Sequence, residues 1–164
     1  MTESALVITV STRAAAGTYA DRSGPVLVEA LTELGFAVHG PVVVPDGEPV
    51  GAALRAAVAD GFALVVTTGG TGLSPSDQTP EQTRAVIERE IPQLPAAIAR
   101  YGAEQGVPTA VLSRGLAGTV GPTLIINLPG STGGARDGMA VAGPVLAHAI
   151  SQLRGGDHPR TGGS

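Results

Sequence analysis

The 164-residue sequence contains no cysteine, and this absence excludes several kinds of chemistry. Without thiol groups the chain can form no disulfide, no thiolate nucleophile and no thiolate-bound metal site. Lysine is absent as well, because all ten basic residues are arginine. Schiff-base chemistry and a P-loop lysine are therefore excluded, so any phosphate must be bound by arginine, backbone N–H groups or a metal ion.

Aromatic residues, clustered positive charge and long apolar runs are scarce too. Aromatic side chains make up 2% of the sequence, and the formal net charge is −4. Nucleic-acid-binding surfaces need clustered positive charge and often stacking rings, so we expect no nucleic acid as a partner. The apolar runs are far shorter than a membrane span, and no signal peptide is visible. We therefore expect a soluble cytoplasmic protein with no membrane partner.

What the sequence does contain is an alternation of strand-like and helix-like segments. Short runs rich in β-branched residues predict strands at 5–10, 36–44, 62–66 and 123–128. Segments with an apolar stripe predict helices at 22–34, 50–60, 80–90, 94–104 and 135–153. Gly40-Pro41 should interrupt the second strand, and Gly143-Pro144 should bend or break the last helix.

This alternation predicts a single α/β domain of three layers, with a mostly parallel or mixed central sheet and helices on both faces. The segment 105–122 leaves room for one antiparallel or edge strand. We expect the domain to span residues 1–155 and a disordered tail to follow at 156–164.

The connection after the third predicted strand is long and rich in glycine and hydroxyl groups. It reads TTGGTGLSPSDQTPEQ over residues 67–82, whereas a βα connection commonly uses about two to six residues. Thr79, Pro80 and Gln82 predict an N-cap and a capping box for the next helix. Glycine N–H groups, hydroxyls and a helix start together suit an anion such as phosphate or pyrophosphate.

Polar loops follow all four predicted strands, at 11–19, 45–49, 67–79 and 129–138. Because the carboxyl ends of parallel strands meet at one edge of a sheet, we expect these loops to converge on a ligand site. Two of the loops carry the carboxylates of Asp46 and Asp77. A carboxylate beside a phosphate repels it unless Mg²⁺ lies between them.

The residues alone leave alternatives open at these positions. Asp46 in Pro45-Asp46-Gly47 also fits a plain turn, and Asp77 also fits a turn or an additional helix cap. Three arginines fall in or beside the loops and are candidates for anion contacts: Arg13, Arg114 and Arg136.

Five segments in order along about residues 5–155 resemble one known family. They read VSTRAAAGTYAD, VVPDGEP, TTGGTGLSPSDQTPE, LSRGLAGTVG and LIINLPGSTGGARDGM. Together they resemble the Mog/MoaB-type proteins of molybdenum-cofactor biosynthesis, to which the G domain of gephyrin is similar.

The resemblance implies a molybdopterin adenylyltransferase that is usually a homotrimer and sometimes a larger assembly. Such an enzyme transfers AMP from Mg-ATP to the terminal phosphate of molybdopterin, releases pyrophosphate and hands its product to a molybdate-insertion protein. The family's two functional aspartates fall on Asp46 and Asp77, which we expect to be catalytic. Our hypothesis is that Asp77 holds Mg²⁺ with Asp46 nearby; the alternative for Asp46 is that it orients the site of the attacking phosphate. The resemblance further implies a substrate-binding set: Ser11, Thr68, Gly69, Gly70, Thr71, Gly72, Ser113, Gly130 and Ser131.

Two positions depart from the family pattern. Ser76 stands where many relatives carry arginine before the loop aspartate, and Thr132 stands where proline is frequent. The first change removes a cation suited to phosphate, for which Arg13 or Arg114 is a candidate replacement. It leaves a non-catalytic pterin-binding or scaffold paralogue open beside the enzyme, whereas some other phosphate-ligand binder would require the match to be coincidence.

Overall fold

A computed structural model describes residues 2–156 and gives a six-stranded sheet with helices on both faces. The strands are β1 (Ser4–Val10), β2 (Ala37–Val44), β3 (Leu64–Thr68), β4 (Arg89–Glu90), β5 (Ala117–Val120) and β6 (Thr123–Leu128). The helices are α1 (Thr12–Ala15), α2 (Ser23–Glu33), α3 (Glu48–Ala59), α4 (Thr79–Arg84), α5 (Gln93–Glu104) and α6 (Thr132–Leu153). A 3₁₀ turn spans Pro108–Leu112.

The sheet is mixed, and its parallel part holds four strands. The strand order is β2-β1-β3-β6-β5-β4. β2, β1, β3 and β6 are mutually parallel, whereas β5 and β4 are antiparallel to their neighbours. β5 reverses into β6 through Gly121-Pro122, and a connection this short can join only antiparallel strands. The prediction of one antiparallel strand within 105–122 is therefore confirmed.

The core lies in two layers, one on each face of the sheet. Alternate residues of β1 divide between the layers, with Val7 on one face and Ile8 on the other. Leu31 of α2 and Leu146 of α6 pack in the first layer, and Leu54 of α3 packs in the second. Strands buried on both faces read as continuous apolar runs, as these do. The three-layer α/β/α architecture is confirmed.

The predicted interruption of β2 is also confirmed. The register between β1 and β2 shifts between Leu6 and Ile8. Opposite this shift Gly40 adopts a φ of 98°, and a Cβ there would lie 2.5 Å from the backbone oxygen of Val7. Only glycine fits this backbone conformation and this close approach.

The helix predicted at 80–90 is wrong over its second half. α4 ends at Arg84, and β4 then pairs with the sheet edge. The N–H groups of Glu88 and Ile91 donate to β5 carbonyls, at 2.8 Å each. The backbone groups of this segment are thus satisfied by β5, so they do not need a helix.

The last helix is longer than predicted and does not break. α6 begins at Thr132 and continues through Pro144. Pro144 has no N–H for the carbonyl of Ala140, but Ala140 is exposed, so water can reach that end of the turn. Within residues 2–156 no helix is both long and apolar enough to cross a membrane. The predicted tail lies outside the described residues except for Gly156.

Candidate functional site

The loops that follow the four parallel strands converge, as predicted, and line two adjoining cavities. The polar cavity, about 750 Å³, is lined by Ser11, Arg13, Asp21, Asp46 and Ser76 among others. The apolar cavity, about 590 Å³, is lined by Leu73, Pro95, Ile98, Leu112 and Asp137 among others. Gly70, Asp77, Gly130 and Ser131 line both. These shared residues form a wall at the carboxyl edge of the sheet, where the strand order reverses between β1 and β3.

The glycine-rich loop after β3 requires its glycines. Gly69 and Gly70 adopt φ values of 101° and 68°, in the left-handed region that other residues avoid. A Cβ on Gly69 would overlap the backbone oxygen of Val10, and one on Gly70 would lie 3.1 Å from Oδ1 of Asp46. The loop can therefore pass close to its neighbours only without side chains here.

Free backbone donors face the shared wall. The N–H groups of Gly70, Thr71 and Gly72 make no hydrogen bond to any acceptor within residues 2–156. Successive unpaired N–H groups in a tight loop form a concave site suited to an anion. This geometry supports the anion-binding interpretation of the loop.

Thr79 does not cap α4, so that prediction is wrong. The N-cap position is Gln78, which makes no side-chain cap bond. Thr79 is fully buried, and its hydroxyl donates to the carbonyl of Gly69 at 2.9 Å. Its N–H donates to the carbonyl of Gly70 at 3.1 Å. The buried hydroxyl satisfies a loop carbonyl that water cannot reach, and it holds the glycine-rich loop in shape.

Asp46 is oriented by Thr12, which the sequence did not single out. The Thr12 hydroxyl donates to Oδ2 of Asp46 at 2.7 Å and accepts from the Asp46 N–H at 3.1 Å. This reciprocal pair fixes the half-buried carboxylate at the edge of the polar cavity. Oδ1 of Asp46 points toward Gly70. Asp46 thus belongs to the cavity and is more than a residue of a plain turn.

Asp77 presents a carboxylate to the shared wall. Its N–H closes a turn by donating to the carbonyl of Ser74 at 2.9 Å. Its side chain lies beside Gly72, where a Cβ would be 2.8 Å from Oδ2. Within residues 2–156 this carboxylate accepts no hydrogen bond, so it does not act as a helix cap. Its oxygens are free for a ligand.

The other predicted hydroxyls hold the loops in position. Ser11 caps α1 by accepting from the N–H of Ala14 at 3.1 Å, and Ser131 caps α6 by accepting from Gly134 at 2.9 Å. The Thr68 hydroxyl donates to the carbonyl of Pro129 at 2.7 Å, which ties the end of β3 to the turn after β6. These residues line the polar cavity.

Two more predicted residues lie at the wall of the apolar cavity. Ser113 donates to the hydroxyl of Thr71 at 3.3 Å. Gly130 approaches the glycine-rich loop so closely that its Cβ would lie 3.2 Å from the Cα of Gly69. The structure therefore brings the whole predicted set to the two cavities and their shared wall.

Arg114 braces the loop and faces neither cavity. Its Nε donates to the carbonyl of Gly72 and its Nη2 to that of Asp77, both at 2.9 Å. Its Nη1 forms an ion pair with Glu81. This hydrogen bond holds the pKa of Glu81 below its ordinary value. The guanidinium is committed to these partners and lines neither cavity, which disfavours Arg114 as an anion contact there.

The other two candidate arginines separate clearly. Arg13 lines the polar cavity, with its guanidinium carbon 5.1 Å from the ring centroid of Tyr19. Arg136 is exposed on α6 and lines neither cavity.

Sequence reasoning also missed two polar residues at the site. Asn127 donates to the hydroxyls of Thr67 and Thr83 at 3.0 Å each, and it lines the apolar cavity. The available signal was one amide inside the otherwise apolar strand TLIINL. Asp21 lines the polar cavity, and its oxygens accept from the hydroxyl of Thr9 at 2.8 Å and from the N–H of Gly24 at 3.0 Å.

The donor set suits magnesium only together with a phosphate ligand. Among the described residues no group of three or more histidine or carboxylate side chains could enclose a metal ion. Mg²⁺ is usually bound by one or two carboxylates plus substrate phosphates and water. Asp77, which is unpaired, and Asp46, which is held by Thr12, provide two such carboxylates in one cavity.

Sequence and fold both match known proteins. Residues 6–148 match the family described as "Probable molybdopterin binding domain". A molybdopterin adenylyltransferase from Pyrococcus furiosus is 34% identical over 152 residues, which cover 90% of this chain and 89% of the relative. The solved structure of the molybdopterin biosynthesis Mog protein from Mycobacterium ulcerans is 50% identical with a TM-score of 0.89, and the match covers 94% of this chain and 99% of that one.

One group of relatives is longer than this chain. A molybdenum cofactor biosynthesis bifunctional protein from Chlorobaculum tepidum is 38% identical over 154 residues. The match covers 93% of this chain but 49% of that relative, so the chain spans about half of its length. In each comparison the similarity extends over nearly all of the domain that carries the two cavities.

Proposed function

This chain belongs to the molybdopterin-binding domain family, and we propose that it acts in molybdenum-cofactor biosynthesis as a molybdopterin adenylyltransferase. The observation that carries the proposal is the pair of carboxylates, Asp46 and Asp77, in a polar cavity beside unpaired loop N–H groups. The name of the Pyrococcus furiosus relative, which matches over most of its length, supports the same activity.

In the proposed reaction a terminal phosphate oxygen of molybdopterin attacks the α-phosphorus of ATP. A new P–O bond forms, the bond to the β-phosphate breaks, and pyrophosphate leaves. This chemistry needs mainly positioning and neutralisation of charge. Mg²⁺, which Asp77 and Asp46 would hold, would neutralise the charge that develops on the leaving pyrophosphate.

In this proposal the polar cavity would bind the phosphates and the metal, and the apolar cavity would bind a ring of the substrate. Asp77 and Asp46 would hold the metal, and the N–H groups of 70–72 would donate to phosphate oxygens. The apolar cavity, with side chains such as Ile98 and Leu112, suits a flat heterocyclic ring. The reacting phosphates would then lie at the shared wall, between the two cavities.

The direct test is to incubate the purified protein with Mg-ATP and molybdopterin. Pyrophosphate release and adenylyl-molybdopterin are measured together. We expect stoichiometric product that depends on both substrates and on Mg²⁺. An Asp77→Asn variant that retains full activity would contradict the assignment of the site.

Ser76 supports a second candidate, a pterin-binding or scaffold paralogue without transferase activity. The side chain lines the polar cavity but carries no charge. Tight molybdopterin binding with no adenylyl product would favour this candidate. In either case we propose a homotrimer, which sedimentation equilibrium tests, and delivery of the bound pterin to a molybdate-insertion protein.

A further inference from the structure

We propose that Arg13 is the phosphate-binding cation of the polar cavity and takes the place of the arginine that is absent at Ser76. The inference rests on the proposed function only in taking a phosphate group as the ligand of this cavity. It assigns a binding residue that the two-aspartate description of the site does not contain.

The charges around the polar cavity create the need for such a cation. Three carboxylates line it, from Asp21, Asp46 and Asp77, against two guanidinium groups, from Arg13 and Arg22. A polyphosphate would enter a cavity that is already negative. One Mg²⁺ would offset two of the three carboxylates, so an arginine of the cavity is left to counter the third carboxylate and the charge of the phosphate.

Arg13 is available for this role. Within residues 2–156 the ion pairs are Arg84–Glu90, Arg114–Glu81 and Arg154–Glu3. Arg13 takes part in none of them. Its guanidinium instead lies over the ring of Tyr19, a contact that leaves the in-plane N–H groups free to donate. Phosphate oxygens accept from such a planar donor fork in a bidentate manner.

The local backbone holds Arg13 and Tyr19 together. Gly17 adopts a φ of 77° directly after α1 and turns the chain back. The N–H and the hydroxyl of Thr18 both donate to the carbonyl of Arg13, at 3.0 Å each. This turn places Tyr19 against the arginine side chain. Part of the side-chain entropy is therefore lost before a ligand binds.

Arg13 also follows the residue that orients Asp46. Thr12 and Arg13 are consecutive in α1, and the Thr12 hydroxyl donates to Asp46 at 2.7 Å. One short helix thus positions a metal-binding carboxylate and carries a cation at the same cavity. A phosphate bound there would meet the guanidinium in addition to any Mg²⁺ that Asp46 helps to hold.

Arg22 is the competing cation, and it is less well prepared. It lies at the exposed N-cap position of α2, where its side chain makes no cap hydrogen bond. Among the described residues it has no ring contact or ion pair to hold it. Binding through Arg22 would require ordering a long free side chain, at about 0.5–1.5 kcal/mol for such a group.

Isothermal titration with three probes tests the inference on the full chain. The probes are inorganic pyrophosphate with Mg²⁺, α,β-methylene-ATP with Mg²⁺, and molybdopterin. Arg13→Gln is compared with Arg13→Lys, with Arg22→Gln and with Arg100→Gln, which changes an exposed arginine on α5 outside both cavities. Circular dichroism and thermal unfolding verify that each variant is folded.

We expect Arg13→Gln to weaken pyrophosphate binding by roughly tenfold or more, the usual effect of losing a charge-assisted hydrogen bond. Arg13→Lys should recover part of the affinity. Arg22→Gln should lose less affinity than Arg13→Gln, and Arg100→Gln should bind like the wild type. Ser76→Arg added to Arg13→Gln should restore binding, because it returns a cation to the cavity. If Arg13→Gln also weakens the binding of α,β-methylene-ATP, Arg13 binds a nucleotide phosphate. If it weakens the binding of molybdopterin instead, Arg13 binds the phosphate of the pterin.

Wild-type affinity in Arg13→Gln for all three probes would overturn the inference. So would an equal loss in Arg100→Gln, a loss in Arg22→Gln in its place, or a wild-type protein that binds no probe. The two proposals fail separately. Loss of pyrophosphate binding in Arg13→Gln from a wild type that forms no adenylyl product supports Arg13 and contradicts the transferase. An active wild type whose affinities do not depend on Arg13 supports the transferase and contradicts the role of Arg13.

Discussion

The two cavities share a wall, but different parts of the fold build them. The polar cavity is formed by loops after parallel strands and is fixed by side-chain hydrogen bonds, such as those of Thr12 and Thr9. The apolar cavity is formed by α5, the 3₁₀ turn and α6, which are held by packing, with Gly102 against Ala110. Changes of the carboxylates on the polar side should therefore affect the chemical step, whereas changes on the apolar side should affect substrate affinity and leave the chemical step intact.

Asp77→Asn should have the largest effect, because it removes charge at the wall that both cavities share. We expect kcat for adenylyl transfer to fall roughly a hundredfold or more, as for loss of a group that acts on transition-state charge. Asp60→Asn, at the exposed C-cap of α3, is the matched control. A wild-type kcat in Asp77→Asn would contradict the assignment of the chemical step to the polar cavity.

Gly69→Ala should destabilise the wall itself. The added Cβ would overlap the backbone of Val10 at a φ of 101°, so we expect unfolding free energy to fall by about 1–3 kcal/mol. Gly133→Ala is the control, since a Cβ there meets nothing within 4 Å on α6. It should stabilise the protein by about 0.5–1 kcal/mol. Urea unfolding measures the unfolding free energy of both variants. Equal changes for Gly69→Ala and Gly133→Ala would show that the backbone at position 69 does not require glycine.

Ala99→Leu probes the apolar side alone. Ala99 lines the apolar cavity on α5, and a larger side chain would take up space needed by a ring. We expect KM of the substrate that binds there to rise roughly tenfold with kcat retained. Ala97→Leu on the exposed side of the same helix should leave both constants unchanged. A fall in kcat without a change in KM would contradict the division between the cavities.

The polar cavity could be largely predicted from sequence, because its signals are local. Apolar runs give the parallel strands, and the glycines and aspartates stand directly after them. The apolar cavity could not be predicted, since it depends on α5 packing against the 3₁₀ turn and against α6. Such contacts join segments that no periodicity links.

The same limit explains the errors at single residues. Thr79 has the pattern of an N-cap, but its partner is the buried carbonyl of Gly69, ten residues earlier. Arg13 and Arg114 look equivalent in sequence. They differ because Arg114 meets Glu81 and the carbonyl of Gly72, which lie 33 and 42 residues away.

The smallest effect concerns Arg114, which links the segment beside the apolar cavity to the glycine-rich loop. Its hydrogen bond to Glu81 holds the pKa of that carboxyl below the ordinary value of 4.5. The stabilisation is therefore fully present above pH 4.5 and is lost as pH falls through the lower pKa of the folded protein. Because the Glu81 side chain is 56% exposed, solvent screening limits the contribution to about a few tenths of a kcal/mol.

Urea unfolding of the wild type and Glu81→Gln at several pH values measures this contribution. The variant should be slightly less stable at pH 7, and the two proteins should converge in acid, where Glu81 is protonated and also uncharged. Glu104→Gln, at the exposed C-terminal end of α5, should have the same unfolding free energy as the wild type at every pH. If the stability difference between Glu81→Gln and the wild type persists unchanged into acid, packing and not the charge on Glu81 stabilises the contact between Arg114 and the glycine-rich loop.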